Sequence, residues 1–154
     1  MGLDMYMHAK KYVSNYNHVS DEDKDEFAKI VKLANVGGFI SDESPSVEIV
    51  ATVGYWRKAN QIHNWFVENS QDGIDNCHEY HVGREDLQQL QKECQAVLKD
   101  PTVAIKKLPH VEGFFFGGQD YDEWYEEDLK NTVAIIDNCL AMPDCWEFYY
   151  RASW

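Results

Sequence analysis

Basic residues are scarce in this chain: 14 Lys and Arg stand against 27 Asp and Glu, for a formal charge of -13 at pH 7. Without clustered cations to neutralise phosphates, direct nucleic-acid binding is not expected. Long apolar runs are missing as well. No stretch approaches the roughly 18 to 20 residues of a membrane-spanning helix, so no membrane partner is expected. The opening Met1-Gly2-Leu3-Asp4-Met5 carries neither the basic leader nor the apolar run of a signal peptide, which makes the cytoplasm the expected compartment. Cys77, Cys94, Cys139 and Cys145 form no CxxC pair and are expected as reduced thiols rather than as a disulfide or zinc framework. No P-loop, G-x-G-x-x-G, H-E-x-x-H or nucleophile elbow occurs. The usual enzyme signatures are therefore absent, no cofactor is expected, and the reading leans away from catalysis.

Apolar and aromatic residues are plentiful. At 44% hydrophobic and 14% aromatic, the composition is far from that of a disordered chain. A length of 154 residues is enough to bury roughly two-thirds of the unfolded surface. A single domain spanning 1–154 is expected, with no internal repeat and no dividing linker.

Leu3, Met5 and Met7 alternate with Asp4, Tyr6 and His8, the period-2 pattern of a strand with one buried face, over 2–8 and extending toward Val13. Ser20 followed by Asp21, Glu22 and Asp23 reads as a helix start, and Phe27, Ile30, Val31 and Ala34 carry the helix over 21–35, with Gly37-Gly38 as its stop. Residues 39–46 read as a loop. Val47, Ile49, Ala51 and Val53 alternate again and predict a second strand ended by Gly54, with a second helix beginning at Tyr55 or Trp56. Residues 79–82 read as a short strand and 84–99 as a third helix stopped by Pro101. The apolar run 113–118 between glycines fits a buried strand. Asp120 with Glu123 is expected to open a fourth helix, and 146–151 alternate as the last strand.

The order βαβαβαβαβ alone suggests a parallel sheet, yet strands that alternate have only one covered face. The expected fold is therefore α+β, a two-layer sandwich with a mixed or antiparallel sheet of about five strands and about four helices. A three-layer α/β fold is the alternative.

Two segments carry candidate sites. The first runs from Tyr55 through Trp56, Arg57, Lys58 and Asn60 to His63. A strand passing into a helix N-terminus offers free backbone N–H groups to an anion, Arg57 and Lys58 add positive charge, and His63 falls on the apolar face, where burial shifts an imidazole pKa. A nucleotide-like anion is the ligand this set would take, hydrolysed or merely bound. An ordinary amphipathic helix with surface ion pairs and a core histidine accounts for the same residues. The second segment holds Asp120, Asp122, Glu123, Glu126, Glu127 and Asp128 without one base, interleaved with Tyr121, Trp124 and Tyr125. With the acids of the first helix, it could present an acidic aromatic surface to a basic protein. Acids placed for the helix dipole and for solubility are the plainer account. Cys77, Glu79 and His81 would share one strand face as half a metal site, but no second half is present, so no metal is expected.

The opening MGLDMY, the run Tyr55-Trp56-Arg57-Lys58-Ala59-Asn60 through His63 to Trp65-Phe66, and Phe114-Phe115-Phe116-Gly117 with Tyr121-Asp122-Glu123-Trp124-Tyr125 resemble a family of small acidic proteins encoded by bacteriophages and prophages. The likeness covers most of the chain outside 13–46. It carries over no activity, ligand or catalytic residue. What it implies is a setting: a viral accessory protein in a bacterial cytoplasm that binds a host protein with a basic surface and inhibits an anti-phage defence component such as a nuclease. The contact would be Asp120–Asp128, and a homodimer through exposed aromatics stays open.

Overall fold

A computed structural model describes residues 2–111 and 121–154. The strand expected at 113–118 and the residue Asp120 lie outside the described residues. The elements are β1 (Asp4–Ser14), α1 (Asp21–Ala34), β2 (Ser46–Arg57), α2 (Asn60–Ser70), β3 (Tyr80–Val82), α3 (Arg84–Lys99), α4 (Ala104–Lys107), α5 (Glu123–Ala141) and β4 (Glu147–Ser153). The fold is α+β, with a four-stranded antiparallel sheet in the order β2-β1-β4-β3. The alternating strands thus indicated the sheet type correctly, and the parallel three-layer alternative falls away.

The chain divides into two compact units, one holding the residues through Ala9 together with Thr52–Trp154, the other Lys10–Ala51. In the larger unit, Leu3 just before β1 and Met5, Met7 and Ala9 within it are buried while the residues between them are partly exposed. Phe148, Tyr150 and Ala152 do the same on β4, and Tyr80 pairs with Tyr150 and Val82 with Phe148 across to β3. The covered face meets Ile62 and Phe66 of α2, Leu87, Leu90 and Cys94 of α3, and Leu129, Ile136 and Cys139 of α5 in one core. Phe66 stacks on Tyr150 with ring centres 4.0 Å apart, and Trp56 meets both edge-on. Such aromatic packing contributes beyond the area it buries.

Around residue 55 two boundaries differ from expectation. β2 does not stop at Gly54 but continues through Tyr55 and Trp56 to Arg57, and α2 starts only at Asn60. The turn between them is made by Lys58, whose φ of 61° is left-handed, with its N–H bound to the Leu3 carbonyl at 2.8 Å. Helical spacing in 55–66 could not reveal this, because Tyr55 and Trp56 satisfy a strand and a helix equally well. Among the described residues there is also a fifth helix: Asp100 accepts from the Thr102 N–H at 3.1 Å and caps a 3-10 turn over Pro101–Val103 that leads into α4.

α3 and α5 are tied at one end by Arg84. Its guanidinium donates to the carbonyls of Leu140 (3.3 Å), Met142 (3.0 Å) and Pro143 (2.9 Å) and lies 5.2 Å from the centre of the Phe148 ring. A cation there answers the unpaired carbonyls and the negative dipole end of α5. Arg84→Ala is expected to lower stability by about 2 kcal/mol, read from the urea midpoint, with Arg84→Lys recovering only part because an ammonium lacks the planar fork.

In the smaller unit, Ser20 caps α1 by accepting from the Asp23 N–H at 3.1 Å, with Asp21, Glu22 and Asp23 in the first turn, as the sequence indicates. The helix stop is Asn35, in the left-handed conformation at φ 56°, rather than the glycine pair; Asn is among the few residues that tolerate this geometry. Phe27 is buried, and Lys11 pairs with Glu26 at 2.6 Å.

Candidate functional site

The N-terminal turns of α5 are set by Asp122, whose carboxylate accepts from the backbone N–H of Trp124 (3.0 Å) and Tyr125 (3.1 Å). The cap is therefore Asp122 and not Asp120. Tyr125, Leu129, Thr132, Ile136 and Cys139 turn inward at helical spacing, which carries Glu123, Trp124, Glu126 and Glu127 to the exposed side. Trp124 is 80% exposed. Tyr125, expected on the same surface, is instead buried: its hydroxyl donates to the Leu108 carbonyl at 2.8 Å and its ring packs against His110 and Tyr121, each 4.9 Å away. Asp128 is half-buried beneath the acidic turn. Glu126 pairs with Lys130 at 2.6 Å, an exposed i,i+4 contact that contributes little.

The first candidate set does not converge on one pocket. Arg57 and Lys58 are exposed but precede α2 rather than forming its first turn. Tyr55 is exposed and its hydroxyl donates to the Asp4 carboxylate, a bond that raises the phenol's pKa. Trp56 is buried, with its indole N–H on Thr132 Oγ1 at 2.9 Å. His63 is 2% exposed; Nδ1 lies 2.8 Å from the Tyr150 hydroxyl and Nε2 3.0 Å from Asp75 Oδ1. Burial holds its pKa below the ordinary value, and Asp75 opposes that shift. With both ring nitrogens engaged, the imidazole bridges a core tyrosine to a carboxylate, which is the work of a satisfied buried histidine. Neither partner lay near it in sequence, 12 and 87 positions away.

The two segments meet at the α2–α5 contact. Asn60 Oδ1 accepts from the Val111 N–H at 3.2 Å and lies 2.8 Å from His110 Nδ1. Gln61 Nε2 donates to Asp128 Oδ2 at 3.1 Å, and Thr132, the partner of Trp56, donates to the Asp128 carbonyl at 2.7 Å. Gln61 and His110 carried no sequence signal, since a lone amide and a lone histidine match no motif. Burial pushes the Asp128 carboxyl up to about 6; the Gln61 hydrogen bond opposes this, and the charges of Asp122 and Glu127 add to it.

That shift has a sign. Below about pH 4 the carboxyl is protonated folded or unfolded; between about 4 and 6 the unfolded chain ionises first. Asp128 therefore favours the fold at low pH and loses that contribution as pH rises through its folded pKa. His63 acts oppositely, since a depressed imidazole pKa costs stability as pH falls below its ordinary value. Comparing wild type with Asp128→Asn isolates the carboxylate. The variant is expected to be more stable by about 1 kcal/mol at pH 7.5, after discounting for partial exposure, and the difference should vanish near pH 4, as read by urea melts.

Cys94 and Cys139 are core thiols pushed up to about 12 and about 11 by burial, whereas Cys77 and Cys145 are exposed. Of the half metal site, Glu79 lies 2.9 Å from His8 Nδ1 and the strand spans only Tyr80–Val82, leaving Cys77 outside it. Among the described residues no three His, Cys, Asp or Glu side chains gather as metal ligands, and no helix is long and apolar enough to cross a membrane.

Comparison with protein-family models, with curated proteins and with solved structures finds no match.

Proposed function

We propose that this chain is a phage accessory protein that binds a basic host protein through the N-terminal turns of α5, with a bacterial anti-phage defence component, such as a nuclease, as its target for inhibition. The observation that carries this reading is Trp124, 80% exposed and flanked by the exposed carboxylates of Asp122, Glu123, Glu126 and Glu127. Leaving an indole in water forgoes the burial of a large apolar surface, and tryptophan is among the residues that most often anchor a protein interface. The surrounding carboxylates, on a chain of charge -13, would steer a basic partner and reject acidic ones. The phage setting comes from the sequence resemblance.

The test is affinity capture of the tagged full chain from a bacterial lysate at low and moderate salt, with mass spectrometry of everything retained. The reading expects a stoichiometric basic protein that dissociates as salt rises and is not retained by Trp124→Ala. A nucleotide as the sole stoichiometric companion would overturn it.

A further inference from the structure

Among the described residues the two most exposed large apolar side chains, Leu33 at 91% and Phe39 at 87%, both belong to the smaller unit. Phe39 stands on a hydrogen-bonded turn: its N–H is bound to the Val36 carbonyl at 2.9 Å, and the Val36 N–H to the Val31 carbonyl at 3.2 Å. Beside that turn lies an open recess of about 480 Å³, lined by Phe27, Ala28, Val31, Asn35, Gly37 and Gly38. A cavity of about 150 Å³ already takes a benzene ring, so the recess has room for a phenyl group. Phe39 follows directly on two of its wall residues, yet the ring stays in water. An exposed phenyl next to an unfilled apolar recess is the composition of an interface rather than of a finished surface.

The charges along α1 say what covers it. Asp21, Asp25, Ala28 and Lys32 recur at i, i+4, i+7 and i+11, with Lys29 beside them, and all five are exposed. The stripe thus runs from acid at its start, through a small residue, to base at its end. A uniformly basic partner would meet Lys29 and Lys32 with like charge, and an acidic one would meet Asp21 and Asp25. A helix of the same order laid antiparallel answers both ends at once, and α1 is itself such a helix.

We propose that this face binds a second copy of the chain, with the two α1 helices antiparallel across a two-fold axis and Phe39 of each copy seated in the recess of the other. Such a contact is isologous, the same patch serving both copies. Asp21 and Asp25 then face the partner subunit's Lys32 and the partner subunit's Lys29, and Ala28 near the crossing lets the helices approach closely. Parallel packing would set acid on acid. Two helix faces about 21 Å long and two phenyl rings of about 150–250 Å² each bury on the order of 1,200 Å² in total, the low end for a stable interface. A dimer with a Kd of order micromolar is expected. The surface goes beyond the docking turn on α5 and does not rest on it.

The experiment is sedimentation velocity of the full chain from about 1 to about 300 μM. Wild type is expected to pass from monomer to dimer over that range. Phe39→Ala, an exposed change that leaves the urea midpoint unmoved, should weaken the dimer at least about tenfold. Asp21→Lys/Asp25→Lys makes the stripe wholly basic and Lys29→Glu/Lys32→Glu makes it wholly acidic. Each variant alone should be monomeric, and an equimolar mixture of the two should dimerise, because only the mixed pair is complementary. A merely structural role for these charges would give no rescue on mixing. Wild type that stays monomeric throughout, full dimerisation of Phe39→Ala, or a mixture that remains monomeric overturns the proposal. So does a monomer whose Phe39 ring shows nuclear Overhauser contacts to the Val31 methyls of its own chain, which would assign the recess to that ring.

Discussion

Gly54→Ala is expected to destabilise the fold by about 2 to 3 kcal/mol, the usual cost of forcing one methyl into a filled core. A Cβ built on Gly54 would sit 2.6 Å from Ile135 Cγ2 and 3.1 Å from Met7 Cβ, with Ile135 Cδ1 at 3.3 Å. The glycine lies inside β2, where α5 approaches the sheet closely, and glycine in a strand interior often marks such an approach. Urea denaturation of a double-mutant cycle separates this cause from a general strand effect. Ile135→Ala alone costs stability by opening a cavity, yet in the Gly54→Ala background it should cost less by about 1 kcal/mol or more, because the added methyl finds room. Strict additivity would show that the clash is relieved elsewhere.

Trp124→Ala is expected to separate binding from folding. At 80% exposure the indole contributes little to the native state, so the urea midpoint should move by no more than about 0.5 kcal/mol. Affinity for the captured host protein should fall by about 2 to 4 kcal/mol, the range of an interface anchor. Lys130→Ala, which breaks only the exposed contact with Glu126, should leave affinity unchanged or slightly raised, since it removes one positive charge from an acidic surface. A loss of stability in Trp124→Ala that matches its loss of binding would assign the residue to the fold instead.

The sheet was legible where one face is wet. Leu3, Met5 and Met7 alternate because the residues between them remain partly exposed, and the same alternation on β4 excluded a buried parallel sheet. The helix over Arg84–Lys99 was legible to the residue because Gly83 and Pro101 bracket a clean apolar stripe. Legibility failed at Gly54, where a glycine that admits a neighbouring helix reads the same as one that ends a strand. It failed again at Lys58, since nothing in a lysine announces a left-handed turn. The acidic turn was visible as a charge run, but its cap and the inward turn of Tyr125 follow from the helix phase, which begins at Glu123. The junction of Asn60 with His110 and of Gln61 with Asp128 joins positions 50 and 67 apart, and no local pattern encodes such pairings.

The most direct test of a docking surface at α5 is the salt dependence of host-protein binding by wild type and by Glu123→Lys/Glu127→Lys, measured by calorimetry. Asp122 stays in place because its removal would uncap the helix at a cost of about 1 kcal/mol and confuse the result. The account predicts that wild-type affinity falls steeply with added salt, and that the doubly reversed chain binds at least about a hundredfold more weakly at low salt with a much flatter dependence. Equal affinities with the same salt response would contradict it.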